Sequence, residues 1–352
     1  MNIKIISLIF LIIVSLIIVS LIVFFLYNLY YTEKFTMILN LSGLVYKRQP
    51  VISNRIINTP LKNLRSNMKI FGEYNIPTFF CYNMKMLSPV QDQGSNCGSC
   101  WAFVISSFLS DKIIIESGYN ILLSAQQLLQ CYTDETGNLA QCGGAAPEDV
   151  FLWMIKTGFI LTLDRDIPYK QITSNQVKES CPIIKEGVSI KPNSVNKITE
   201  NINNSLIIEK NIINMKKELV YNGPIFATIL VYDDFVKWRE NFISGPYNQN
   251  TKSKELGGHA IEIVGYCDKD IDNRSKYKNG YWICKNSWGT KWPQGNPIYP
   301  GYFTIEMGKN VCGIESRCGV VEPDIDIIKL EKSYNKNISF TDIGLYAQTF
   351  IY

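Results

Sequence analysis

Residues 93–103 read QGSNCGSCWAF, a stretch that contains Cys97 and Cys100. The apolar run that follows predicts a helix over Trp101–Ser117, which begins next to Cys100. The positive end of the helix dipole then falls on the Cys100 sulfur. A thiol with an ordinary pKa of about 8.5 is a weak nucleophile at neutral pH and needs such positive charge to be held as thiolate. The stretch therefore predicts a reactive thiolate at Cys100.

The chain has a single histidine, His259, so only one pair of a thiolate and an imidazolium can be built. A histidine base needs a third group that fixes its ring orientation and tautomer. Asn286, in the sequence KNSWG, is the candidate for that group. The oxyanion of an acyl-transfer intermediate also needs hydrogen-bond donors, and we expect the backbone N–H of Cys100 and the side-chain amide of Gln93 to supply them.

These residues resemble the papain and cathepsin family, and its cathepsin B-like branch most. The sequence CGSCW at 97–101, followed far downstream by histidine and asparagine, is a local signature of that family. The likeness extends over residues 76–321 and includes Cys312–Ser316, a string close to the cathepsin B form. The resemblance implies an α+β, papain-like fold of two lobes, a mainly helical left lobe with Cys100 and a β-barrel-like right lobe with His259 and Asn286. It also implies polypeptide substrates, bound between the lobes, and no cofactor.

Other site residues follow from the same resemblance. Gly143 and Gly144 are expected in the substrate-groove wall, where Gly144 hydrogen-bonds the substrate backbone, and Trp288 is expected to shield the His–Asn hydrogen bond from water. Arg317 matches the position at the bottom of the pocket for the second residue before the scissile bond, which favours an acidic substrate side chain. The exopeptidase activity of cathepsin B depends on a loop with two histidines that bind the substrate carboxylate. This chain has a single histidine and cannot form such a pair, so it is expected to be an endopeptidase.

The chain departs from the family pattern by one extra residue, Asn96, between Gln93 and Cys100. An insertion at this point raises the question of whether the Gln93 amide is displaced from the oxyanion. For this reason a catalytically inactive, peptide-binding homologue stays open as an alternative function. A membrane-anchored structural protein that uses the fold as a spacer is the other alternative.

Ten cysteines are present, and the resemblance implies two disulfides, Cys97–Cys142 and Cys131–Cys181. Zinc is the rival explanation for clustered cysteines. No two C-x-x-C pairs have the spacing of a zinc site, and the one histidine is already assigned, so no metal site is expected. Five cysteines are left without an assignment: Cys81, Cys267, Cys284, Cys312 and Cys318.

Residues 5–32 contain no charged side chain and are long enough to span a bilayer, which predicts a membrane anchor through residues 5–31. A cleaved signal peptide would have a shorter apolar region and a small-residue cleavage site. The basic residues after the span, Lys34, Lys47 and Arg48, favour a cytosolic catalytic side. The two disulfides that the resemblance implies indicate an oxidising compartment instead. We therefore expect a single-pass membrane protein with a lumenal or extracellular catalytic domain. The abundance of Ile, Asn and Lys suggests a viral or protist origin.

The net charge is +4 and is spread along the chain, so nucleic-acid binding is not expected. The sequence does not indicate an oligomeric state. The landmarks divide the chain into an anchor (1–31), a stem or short pro-segment (32–74), a helical lobe with the nucleophile (75–190), a surface insertion (191–211), a β-rich lobe with His259 and Asn286 (212–321) and a C-terminal extension (322–352).

The apolar patterns within these segments predict the main elements of both lobes. Helices are expected at Trp101–Ser117, at Ser124–Cys131 with Ser124 as the N-cap, at Pro147–Thr157 and at Ile213–Val220. Strands are expected at Ile225–Val231, Ala260–Tyr266, Tyr281–Lys285 and Gly301–Glu306.

Overall fold

The described part of the chain covers both expected lobes. The predicted anchor (1–31), the stem (32–74) and the extension beyond residue 324 lie outside it. No helix within the described ranges is long and apolar enough to cross a membrane. The computed structural model describes residues 76–85, 87–170, 180–240, 245–249, 252–268, 280–295 and 299–324.

Helix α1, Cys100–Ser117, is the central element of the first lobe. Its buried residues lie on all sides of the helix, because it packs against the other helices of its lobe and also against strands of the second lobe. The helix ends at Gly118, whose φ of 78° is the left-handed conformation that glycine adopts without strain. It begins at Cys100, one residue earlier than predicted.

Two shorter helices complete the first lobe, and their ends agree with their sequences. Helix α2, Ala125–Cys131, is capped by the Ser124 hydroxyl, which accepts the N–H of Gln127 at 3.0 Å. Helix α3, Pro147–Thr157, has proline at its start, two acidic residues in its first turn and Gly158 after its end. A 3-10 turn over Gln141–Gly143 lies between the two helices in sequence.

The second lobe is built on a seven-stranded antiparallel sheet. In spatial order its strands are β3 Asn196–Lys197, β10 Cys318–Val320, β4 Ile225–Tyr232, β6 Glu255–Cys267, β7 Tyr281–Lys285 and β9 Tyr302–Glu306, and β1 Phe79–Cys81 adds to the central strand β6. Over the described residues the edge strands β3 and β9 do not pair with each other, so the expected β-barrel-like lobe has an open strand order.

Strand β6 carries His259 and decides the layout of the site. Its first half pairs with β4, where His259 lies opposite Ile229, and its second half pairs with β7, where Glu262 lies opposite Lys285. Every residue from His259 to Cys267 is buried. The strand is buried on both faces because one face covers the sheet core and the other packs against α1.

The segment expected as a surface insertion, 191–211, is part of the second lobe. Its residues Asn196–Lys197 form the edge strand β3, and helix α4, Ser205–Tyr221, begins eight residues before the predicted start at Ile213. The Asn204 side chain caps this helix by accepting the N–H of Leu206 at 3.0 Å. The exposed Leu206 and Ile213 break the apolar periodicity of the helix, so the sequence pattern missed its first turns.

Six short elements remain in the described residues. Strand β2, Ser189–Ile190, pairs with β11, Pro323–Asp324, so the first residues of the expected C-terminal extension belong to the folded domain. Strand β5, Arg239–Glu240, pairs in parallel with β8, Gln294–Gly295. A short helix α5, Asp233–Lys237, follows β4, and a second 3-10 turn covers Val311–Ser316.

Each lobe has its own hydrophobic core. One core surrounds α1 and includes Trp101 and Phe108, and the other lies within the sheet and includes Trp282 and Phe303. The two cores are separate, but Phe226 of β4 packs into the helical core, with its ring centroid 5.5 Å from that of Phe108. Through this contact the sheet of the second lobe packs against α1.

Candidate active site

Cys100 is the first residue of α1 and is half-buried. The preceding residue, Ser99, makes no side-chain cap, so the N–H groups of the first turn have no side-chain partner from it. The N–H of Trp101 hydrogen-bonds the Cys100 sulfur. The helix N-terminus therefore directs positive charge at the thiol, as the sequence predicts.

The surroundings of Cys100 favour its thiolate form. Burial by itself raises the pKa of the thiol, but a side-chain hydrogen bond with His259 and the charge of His259 lower it. The backbone N–H groups of Ala260 and Trp101 lower it further, and the pKa of Cys100 lies below its ordinary value. The sulfur therefore lies in contact with the only imidazole of the chain.

His259 is held by Asn286 on the side away from the sulfur. Its Nε2 lies 2.8 Å from Oδ1 of Asn286, which follows directly after β7, and both residues are buried. The same Oδ1 accepts the N–H of Ser287 at 2.8 Å. With Nε2 engaged by Asn286, Nδ1 is the ring nitrogen left for Cys100. The structure therefore brings Cys100, His259 and Asn286 together.

Trp288 covers the His259 ring. Their ring centroids are 4.7 Å apart, with an angle of 36° between the planes. Trp288 also packs against Trp292 and Phe235, so it is one member of an aromatic group. Its position fits both the expected shielding of the His–Asn hydrogen bond and ordinary aromatic packing.

Gln93 is buried and anchored on two sides in spite of the extra residue Asn96. Its Nε2 donates to the carbonyl of Cys97 at 3.1 Å, and its Oε1 accepts from the Ser287 hydroxyl at 2.7 Å. A primary amide has two N–H donors, so one stays available for an oxyanion. The insertion is absorbed by the exposed residues Ser95 and Asn96.

The expected groove wall lies next to the nucleophile loop. The disulfide Cys97–Cys142 joins the two segments, and the N–H of Gly98 donates to the carbonyl of Cys142 at 3.2 Å. A Cβ on Gly98 would lie only 2.7 Å from that carbonyl oxygen, so glycine is required for the close approach. Gly143 and Gly144 follow, and a Cβ on either would meet no atom within 4 Å, so open space lies beside both.

The other disulfide joins Cys131 at the end of α2 to Cys181. Both disulfides link the cysteines that the family resemblance pairs. Cys81, Cys312 and Cys318 are buried thiols, and burial raises the pKa of Cys81 to about 12. In the part of the chain that the structure describes, no group of His, Cys, Asp and Glu is arranged to hold a metal ion.

Arg317 is half-buried at the end of the second 3-10 turn. Its backbone carbonyl accepts the N–H of Thr228 at 3.0 Å, and a Cβ on Gly313 would lie 3.9 Å from its guanidinium carbon. The contacts of Arg317 do not test its expected part in substrate choice, which stays a prediction.

A buried ionic group behind the catalytic residues was not foreseen from the sequence. Lys285 Nζ lies 2.7 Å from Oδ2 of Asp111 and 2.8 Å from the Ser88 hydroxyl, and it lies 4.0 Å from Oε2 of Glu262. All four residues are almost fully buried. The one signal in the sequence was the presence of charged residues within the apolar patterns of α1, β6 and β7.

Comparison with known proteins agrees with this geometry. The papain family cysteine protease profile matches residues 77–321. The chain is 31% identical over 268 residues to cathepsin B-like cysteine proteinase 5 of Caenorhabditis elegans, which covers 69% of this chain and 72% of that protein. It is 30% identical over 242 residues to the gut-specific cysteine proteinase of the same organism, over 66% and 68% of the two chains.

Among solved structures, procathepsin B of Trypanosoma congolense matches with a TM-score of 0.52 and 21% identity, over 72% of this chain and 80% of that one. Procathepsin L 3 of Tenebrio molitor matches with a TM-score of 0.50 and 21% identity, over 71% of each chain. These neighbours support the papain-like α+β fold, and the cathepsin B-like relatives confirm the resemblance seen in the sequence. The chain therefore belongs to the papain family of cysteine proteases and is a cysteine-type peptidase.

Proposed function

We propose that this chain is an endopeptidase that cleaves internal peptide bonds with a Cys100 thiolate and a His259 imidazolium. The observation that carries the proposal is the continuous contact from Cys100 through His259 to Asn286, in which the pKa of the thiol is lowered. Asn286 orients the ring without neutralising it, because an amide carries no charge.

The reaction follows from these positions. The Cys100 thiolate attacks the scissile carbonyl carbon, and the resulting oxyanion is bound by the backbone N–H of Cys100 and the second amide hydrogen of Gln93. His259 then protonates the leaving amine, which breaks the peptide bond and leaves a thioester on Cys100. Water, deprotonated by His259, hydrolyses the thioester and restores the thiol pair.

Two observations favour an active endopeptidase over the alternatives. The anchored Gln93 amide speaks against an inactive homologue, since the Asn96 insertion was the main support for that function. The only histidine is engaged by Asn286, so no imidazole is left to bind the terminal carboxylate of a substrate.

The proposal extends to the place of action. Two disulfides support a lumenal or extracellular catalytic domain, because disulfides persist in oxidising compartments. The apolar residues 5–31 are the proposed anchor. Protease protection of the full-length chain in microsomes tests this: the catalytic domain is expected to be protected, and its digestion in intact vesicles would place it on the cytosolic side.

Activity is tested with the full-length chain, a thiol-reactive peptide probe and two peptide substrates. The probe is expected to label Cys100 and to lose that labelling in His259→Ala. A peptide blocked at both ends is expected to be cleaved internally, whereas release of single residues from a free carboxyl terminus would point to exopeptidase action. Labelling at another cysteine, or labelling that His259→Ala leaves unchanged, would contradict the proposed pair.

A further inference from the structure

A small cavity lies directly behind the proposed catalytic pair. Its walls include Ser107 of α1, Glu262 of β6, and Lys285, Asn286 and Ser287 at the end of β7. Its volume is about 10 Å³, which is room for about one water molecule. The cavity therefore joins the residue that holds His259 to the buried ionic group.

Two residues in the cavity wall each have a buried polar atom that has no hydrogen-bond partner among the residues that the structure describes. One atom is Nδ2 of Asn286, and the other is Oε1 of Glu262. Glu262 is 1% exposed and Asn286 is 4% exposed, so bulk water does not satisfy either atom. Buried polar groups without a partner are costly and rare, which indicates that these two share one.

The charges around Glu262 decide its protonation. It faces Asp111 on α1 and Lys285 on β7, with Tyr302 of β9 near by, and Ser107 donates to its Oε2 at 2.6 Å. Burial raises the pKa of Glu262 well above its ordinary value, and the charge of Asp111 raises it further against the opposing effect of Lys285. Lys285 Nζ lies 2.7 Å from Asp111 and 4.0 Å from Glu262, so Lys285 pairs with Asp111, and the raised pKa favours the neutral form of Glu262.

We propose that Glu262 is a positioning residue for Asn286, acting through one water molecule that accepts from Nδ2 of Asn286 and donates to Oε1 of Glu262. The inference rests on the proposed role of Asn286. Oδ1 of Asn286 already accepts from His259 and from the Ser287 N–H. Holding Nδ2 in the cavity prevents a flip of the amide, which would turn an N–H donor toward the imidazolium. A neutral Glu262 carboxyl can hold Nδ2 of Asn286 in this way without adding a negative charge three residues from His259.

The test compares Glu262→Gln, Glu262→Ala and Glu262→Met in the full-length chain, each with and without Asn286→Ala. We measure kcat and KM on an end-blocked peptide over a range of pH. Glu306→Ala is the matched control. Glu306 is a buried carboxyl in the same sheet, it also has an unpartnered oxygen, and it does not line the cavity.

The kcat of Glu262→Gln is expected to stay within about twofold of the wild-type kcat, because the neutral amide of glutamine also offers an oxygen that accepts from the water molecule. Glu262→Ala and Glu262→Met are expected to lower kcat about fivefold at unchanged KM, the effect of about one hydrogen bond. The alkaline limb of the kcat/KM profile should move to lower pH, because a less ordered Asn286 stabilises the imidazolium less. The Met variant preserves side-chain volume if the Ala variant does not fold.

In the Asn286→Ala background the Glu262 substitutions are expected to have no further effect. Three outcomes would each overturn the inference and leave the proposed function standing. They are losses of kcat that add up in the double variants, a Glu262→Gln enzyme with as low a kcat as Glu262→Ala, and a Glu262→Ala enzyme with the same kcat as Glu306→Ala. An Asn286→Ala enzyme with wild-type kcat and pH profile would instead overturn the role of Asn286, and the inference with it.

Discussion

The Nε2 of His259 lies 2.8 Å from the Oδ1 of Asn286, although 27 positions separate the two residues in sequence. The antiparallel register of β6 and β7 produces this contact, since it pairs Glu262 with Lys285 and so leads both strands to the same end of the sheet. The orientation of the base thus depends on strand pairing within one lobe. Its contact with Cys100 depends on how that lobe packs on α1.

Asn286→Ala is expected to lower kcat about 100-fold, since the imidazole loses the acceptor that fixes its ring and tautomer. The loss should be smaller than that of Cys100→Ser, because the Cys100 nucleophile remains in Asn286→Ala. Steady-state kinetics on an end-blocked peptide measures the kcat of both variants. Asn214→Ala is the control, because this half-buried asparagine of α4 donates to the backbone carbonyl of Ile198 and does not contact His259 in the described residues. Equal rates for the two variants would contradict the assigned role.

The pH dependence of Cys100 alkylation is expected to show a thiolate at pH values below the ordinary pKa of cysteine. His259 lowers the pKa of the thiol while burial raises it, so His259→Ala leaves burial to act alone. The acid limb of the profile should then move to higher pH, and alkylation near neutral pH should fall. Iodoacetamide labelling across the acid and neutral range measures the shift. A limb that stays in place would show that His259 does not hold the thiolate.

Gln93→Ala is expected to lower kcat by about 10²-fold at little change in KM, the usual effect of removing one oxyanion donor. Asn96→Ala should stay within about twofold of the wild type, because Asn96 is exposed and Gln93 is anchored by Cys97 and Ser287. The two variants lie three residues apart, so each serves as the control for the other. A strong loss in Asn96→Ala alone would mean that the insertion positions the oxyanion amide.

Lys285→Met is expected to destabilise the protein by about 3–5 kcal/mol, because it leaves the Asp111 carboxylate buried and unpaired. Lys210→Met is the matched control. The Lys210–Glu200 pair is exposed, with Nζ and Oε1 2.5 Å apart, and such surface pairs contribute at most about 1 kcal/mol. Urea unfolding of both variants measures the difference. Adding Asp111→Asn to Lys285→Met should recover part of the loss, and no recovery would argue against the buried pair as its cause.

Arg317→Glu is expected to shift the preference at the second residue before the scissile bond toward basic side chains, if Arg317 lines that pocket. Cleavage of a peptide library by the wild type and the variant measures the preference. Lys197→Glu, an equal charge reversal at an exposed residue of the edge strand β3, controls for a general effect of net charge. An unchanged profile in Arg317→Glu would remove this residue from the specificity site.

The structure agrees with the sequence most closely where a local signal was strong. Helix α3 and strand β7 have the predicted ends at both termini, and Ser124 caps α2 as predicted. Helix α4 was predicted too short, because exposed apolar side chains obscured its first turns. Strand β6 extends five residues beyond its predicted start, into the glycines before His259, because pairing with β4 overrides their low strand propensity.

The sequence by itself determined which residues can do the chemistry. The chain has one histidine, one cysteine at a predicted helix start and one asparagine in KNSWG. These leave one set of residues, Cys100, His259 and Asn286, for a thiolate–imidazolium pair and the group that orients it. Only the tertiary structure decided that Gln93 keeps its place beside an insertion, and that Asp111, Glu262 and Lys285 meet behind the site. The reason is physical, since Lys285 and Asp111 are 174 residues apart and a buried charge is tolerated only where distant segments bring it a partner.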